Sequence, residues 1–176
     1  MSDIAGKRLF FALWPEKILA KELNSLAQAC AVVESERVIA SGMMHLTLRY
    51  IGNVNTELQS CLTEMAQNIV VSKFDVTLQN LGYWKTPRVI WMAPENWPDS
   101  LTQLALNLEQ GCQNCGIKAE PRAFSPHVTL VRKARKLPDV NVQTTLLWRV
   151  TNFVLVESKS TNMGVVYQIL NHWPLR

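Results

Sequence analysis

Two short runs stand out among the residues able to do chemistry. His45-Leu46-Thr47-Leu48 and His127-Val128-Thr129-Leu130 repeat a His-x-Thr-Leu pattern, close to half the 176-residue chain apart. The chain has only three histidines, so finding two of them in matched settings by chance is improbable. On a β-strand the side chains alternate faces, which puts His45 beside Thr47 and His127 beside Thr129, while Leu46, Leu48, Val128 and Leu130 turn inward. Imidazole takes or gives a proton near neutrality, and a neighbouring hydroxyl can donate a hydrogen bond to an anionic oxygen. Two such pairs facing one another fit a phosphoryl displacement, with a base at the attacking oxygen and an acid at the leaving one.

Charge supports an anionic partner. Eighteen Lys and Arg against fourteen Asp and Glu give +4 and a pI near 9.0. Between Glu120 and Asp139 lie Arg122, Arg132, Lys133, Arg135 and Lys136 with no acid among them. A block of that kind concentrates phosphate-bearing molecules. No further His, Cys or carboxylate set offers metal-ligand spacing, so the chemistry is expected to need neither metal nor cofactor. A GxxxxGK[ST] loop is also missing from the sequence. Cys30, Cys61, Cys112 and Cys115 read as reduced thiols, because Cys112-Gln-Asn-Cys115 sits late in an amphipathic stretch rather than at a helix start.

The elements needed to position the motifs can be traced along the chain. Strands are expected at Lys7–Leu13, His45–Ile51, Phe74–Leu81, Arg88–Met92, His127–Val131, Asn152–Ser158 and Val165–Leu170. Gly52-Asn53 should close the second of these, and Gly82–Pro87 should form a turn. Helical periodicity marks residues 16–30, a helix capped by Thr56, and another capped by Asp99 or Ser100. Hydrophobic residues make up 48% of the chain, enough for a sizeable core, and no apolar run reaches the ~18 residues of a membrane span. The apolar run Leu9–Trp14 is too short for a signal core, so a cytoplasmic location is expected. The overall expectation is one α+β domain over residues 1–176, made of two lobes with antiparallel sheets, each lobe contributing one motif.

The sequence resembles the 2H phosphoesterase superfamily, and within it the bacterial RNA 2′,3′-cyclic phosphodiesterases, also called 2′-5′ RNA ligases. The resemblance rests on Arg8–Leu13, His45–Gly52, Leu81-Gly82, Pro87–Trp91, Ser125–Arg132, Phe153–Ser158 and Tyr167–Leu175. It implies a bilobal, pseudo-symmetric fold around a cleft. It also implies metal-independent opening of RNA 2′,3′-cyclic phosphate ends to 2′-phosphomonoesters, with reversible 2′-5′ ligation, without ATP, when an RNA 5′-hydroxyl is the nucleophile. By the same resemblance His45 and His127 are the acid/base pair, Thr47 and Thr129 hold phosphate oxygens, and Arg132 contacts phosphate or nucleotide. Phe11 and Tyr50 are candidates for base stacking, although aromatic residues on strands more often pack inward. Tyr50 stands where the family usually has phenylalanine, and Trp14 where it has a small or polar residue. His172 matches no motif. The partner implied is RNA or a nucleotide bearing a cyclic phosphate, handled by a monomer away from membranes. Two rivals keep part of this picture: a phosphodiesterase of small cyclic nucleotides or 2′-5′ oligonucleotides, and a non-catalytic module that binds RNA ends.

Overall fold

Alternation of Leu and Thr in the motif segments builds the middle of the sheet. Leu46, Leu48, Val128 and Leu130 are buried, while Thr47 and Thr129 between them stay partly open. In the computed structural model, which describes residues 6–138, 144–162 and 164–176, these segments are β3 (Leu46–Val54) and β7 (Val128–Arg132). They lie side by side, antiparallel, and meet at the pair Leu46 and Val128.

On one side of β3 come β1 (Lys7–Leu13), β9 (Asn152–Thr161) and β10 (Gly164–Pro174). Beside β7 come β6 (Val89–Ala93) and β5 (Asn80–Trp84), and the short β2 (Arg37–Val38) also pairs with β7. Among the described residues, every pairing in this sheet is antiparallel. Three helices cover one face of this sheet. Helix α1 (Lys17–Cys30) packs on β7, α3 (Asp99–Asn114) on β3, and α2 (Thr56–Gln67) on α3. A separate ribbon, β4 (Phe74–Leu78) with β8 (Leu146–Val150), adds Val76, Leu78 and Trp148 to the same core.

The opposite face carries a smaller apolar group, Phe10, Ala12, Val154 and Val156, joined by Trp14 and Tyr167. The division decides what the motifs stand on. Their leucines and valine belong to the main core, where each fully buried aliphatic side chain contributes about 1.5–3 kcal/mol. Their histidines and threonines project from the other face.

Several local expectations need correction. The cap of α2 is Asn55, whose side chain accepts from the Leu58 N–H, and Thr56 is the first helical residue. Helix α3 starts after Pro98 with no side-chain cap from Asp99 or Ser100. The strand expected over Phe74–Leu81 is two strands in different sheets, and β8 was not anticipated. Gly82 lies inside β5 rather than in a turn, because the Trp91 ring crosses it: a Cβ there would sit 2.1 Å from a ring carbon. β3 runs on to Val54, with Gly52 taking φ +92° opposite Leu9. Nor are all four cysteines reduced thiols. Cys61 on α2 is bonded to Cys115 at the end of α3, and only Cys30 and Cys112 are free thiols, both buried. Cys112 turns inward on α3, whereas Cys115 lies past the last turn beside α2, so the two are not a unit despite their spacing.

Candidate active site

Each motif histidine precedes its strand by one residue, and each is anchored the same way. His45 Nδ1 lies 2.7 Å from the Met43 carbonyl, at the end of a single 3-10 turn over Ser41–Met43. His127 Nδ1 lies 2.8 Å from the Ser125 carbonyl, across Pro126. A carbonyl can only accept, so in the neutral ring Nδ1–H donates and Nε2 carries the lone pair. Both imidazoles are thereby set with Nε2 free for proton transfer. Thr47 stands opposite Ala12 on β1 and Thr129 opposite Trp91 on β6, each on the same face as its histidine.

The surroundings of the two rings differ. His45 is enclosed by aromatics: Trp14 stacks on it with centroids 5.3 Å apart and planes 7° from parallel. Phe10 and the edge-on Tyr167 complete the enclosure at 5.0 and 5.2 Å. Burial therefore pushes the His45 pKa down to about 4, against the Met43 hydrogen bond, and the positive charges of Arg132 and His127 push the same way. His127 packs edge-on against Trp84 at 4.5 Å, which in turn rests on Trp91. Its pKa is also lowered, by burial and then by the Arg132 charge, with the Ser125 hydrogen bond opposing.

A cavity of about 290 Å³ opens beside His45 and Thr129, between Tyr50, Tyr167 and three arginines, Arg8, Arg37 and Arg132. Arg132 ends β7 on a well-anchored loop. Ala134 N–H donates to the Arg88 carbonyl, and the Arg135 N–H donates to the buried Glu36 carboxylate. Tyr83 and the Arg88 side chain donate to the Ala134 carbonyl as well. The rest of the basic block is dispersed: Arg122 is held by Glu120 at 2.7 Å, and Lys133, Arg135 and Lys136 face outward.

The structure brings His45, Thr47, His127, Thr129 and Arg132 to one face. Tyr50 joins them at the cavity rim, 46% exposed. Phe11 does not. It is fully buried against Phe153 and Trp173 and has no surface to offer a base, while its neighbour Phe10 faces the site. His172 is exposed on β10, outside this constellation. Phe10, Trp14, Tyr167, Arg8 and Arg37 were not identified from sequence. The segment Leu9–Leu13 is apolar on both faces and bulged against β3, so alternation alone could not tell Phe10 from Phe11.

The family model described as the 2′-5′ RNA ligase superfamily matches residues 17–162. The chain belongs to that superfamily. Among its relatives, the RNA 2′,3′-cyclic phosphodiesterase of Escherichia coli K12 is 30% identical over 172 residues, 96% of this chain and 97% of that one. The crystal structure of E. coli LigT complexed with 3′-AMP superposes with a TM-score of 0.86 at 29% identity, covering 97% and 98% of the two chains. A Thermus thermophilus crystal structure shares the fold at 24% identity, with a TM-score of 0.83 and coverage of 96% and 98%. Among the described residues, no helix is long and apolar enough to cross a membrane.

Proposed function

We propose that this protein opens RNA 2′,3′-cyclic phosphate ends to 2′-phosphomonoesters, as one cytoplasmic, monomeric domain whose two halves each supply a His-Thr pair. The observation that carries the reading is the matched anchoring of the two imidazoles, each through Nδ1 to the carbonyl two residues before it, on adjacent strands. The names of the relatives support the choice of substrate.

His45, kept neutral by its aromatic enclosure, takes a proton from water at Nε2 as the water oxygen attacks phosphorus. The bond from phosphorus to the ribose 3′-oxygen breaks in line, and His127 delivers a proton to that oxygen. Thr47, Thr129 and Arg132 hold the non-bridging oxygens as negative charge builds on them. The products are a 2′-phosphomonoester and a free 3′-hydroxyl. With an RNA 5′-hydroxyl in place of water as the nucleophile, the same ring opening gives a 2′-5′ linkage and a free 3′-hydroxyl. Nothing in these steps calls on a metal or a nucleoside triphosphate.

Turnover of a short RNA ending in a 2′,3′-cyclic phosphate tests this. His45→Ala and His127→Ala should each cost about 10²–10⁴-fold, and Thr47→Ala or Thr129→Ala less, since each removes a single hydrogen bond. A folded His→Ala variant with near-native turnover would overturn the mechanism.

A further inference from the structure

Among the described residues, three guanidinium groups and no acidic side chain line one cavity. Arg8 comes from β1, Arg37 from β2 and Arg132 from β7, so the sheet gathers them from three strands. Among the described residues, neither Arg37 nor Arg132 has a carboxylate partner through its side chain, and the Arg8 side chain is held only by hydroxyls. Arg8 Nη2 donates to Ser158 Oγ at 3.2 Å and to Ser160 Oγ at 3.1 Å, which orients the group without neutralising it. Arg37 reaches across to the β9–β10 turn, where a Cβ on Gly164 would lie 3.3 Å from Arg37 Nη2. That glycine, at φ +120°, leaves room for the guanidinium.

Converging like charges repel, and the arrangement is favourable only when an anion fills it. The scissile cyclic phosphate is a diester carrying one negative charge, which Arg132 beside the histidines can match. Two positive charges remain. We infer that Arg8 and Arg37 form a second phosphate subsite, which takes the internal phosphodiester on the 5′ side of the terminal nucleotide. The cavity between this subsite and His45 holds the terminal nucleoside, with Tyr50 at its rim. The preferred substrate is then an RNA chain end of at least two nucleotides rather than a free cyclic mononucleotide. This rests on the proposed activity and narrows its substrate class.

The test compares three substrates: 2′,3′-cyclic AMP, the dinucleotide ApA with a terminal 2′,3′-cyclic phosphate, and the same dinucleotide with an uncharged methylphosphonate linkage. The wild-type protein should favour the charged dinucleotide over the mononucleotide by about tenfold or more in kcat/KM, with the methylphosphonate losing most of that gain. Arg8→Ala and Arg37→Ala, checked for folding by melting curves, should each cut the charged-to-neutral dinucleotide ratio by about tenfold. A ratio unchanged in both variants, or a wild-type protein indifferent to the internal charge, overturns the subsite and leaves the proposed activity standing. Calorimetric titration with the dinucleotide 2′-phosphate and with 2′-AMP covers the converse. Tighter dinucleotide binding that Arg37→Ala abolishes, without turnover of any substrate, keeps the subsite and overturns the activity.

Discussion

The aromatic enclosure of His45 has a thermodynamic consequence that can be measured without any substrate. An unfolded histidine titrates near its ordinary value of 6.5, whereas the folded ring titrates near 4. Between those values the unfolded chain binds the proton and the native chain does not, so stability falls as pH is lowered and is fully present above about 6.5. That difference sets an upper bound of about 3 kcal/mol. At pH 5.5 the loss from this ring is about 1 kcal/mol, and at pH 4 it approaches that bound. His45→Asn removes the titration while an amide N–H can still reach the Met43 carbonyl. Urea unfolding of both proteins at pH 7.5 and 5.5 isolates the contribution, because His127 titrates in both. The wild type should lose about 1 kcal/mol more than the variant over that interval. The NMR titration of His45 should have its midpoint near 4 and move upward in Trp14→Ala, as water reaches the ring. Equal pH dependence of the two proteins, with a His45 midpoint near 6.5, would refute the enclosure as the cause.

The same environments shape the kinetics. kcat/KM should be bell-shaped in pH, with its acid limb near 4 from His45 and its alkaline limb below 6.5 from His127; a plateau extending above pH 8 would contradict the assignment. Once substrate is bound, its phosphate charge favours the imidazolium, so the alkaline limb of kcat should lie higher than that of kcat/KM. Arg132→Ala should lower kcat/KM by about 10–100-fold with the melting temperature little changed, and Arg132→Lys should recover only part of the loss; full activity in both would reduce Arg132 to a solvated charge.

Much of the site was legible because it lies in short strand segments, where spacing alone fixes which side chains share a face. His45 with Thr47, and His127 with Thr129, are two residues apart over buried aliphatic neighbours, and the structure keeps them so. Helix α1 and the strands β1 and β6 were readable for the same reason, from local periodicity. What the sequence hid was produced by contacts between distant segments. Trp14 and Tyr167 meet His45 from the end of β1 and from β10. Arg37 reaches the cavity through β2, a two-residue strand too short to leave a pattern. Gly82 looked like a turn because the ring that excludes a side chain there belongs to Trp91 on the next strand. The bond between Cys61 and Cys115 joins residues 54 apart and depends on how α2 meets α3.

Metal-independent opening of a cyclic phosphate toward the 2′ product by two imidazoles fixes the outcome of a single incubation. RNA bearing a terminal 2′,3′-cyclic phosphate is treated with the protein in EDTA, and the phosphomonoester isomer is identified by ³¹P NMR. Undiminished turnover to the 2′-phosphomonoester alone is the predicted result. A 3′-phosphomonoester product, or activity lost on chelation and restored by a divalent ion, would contradict it.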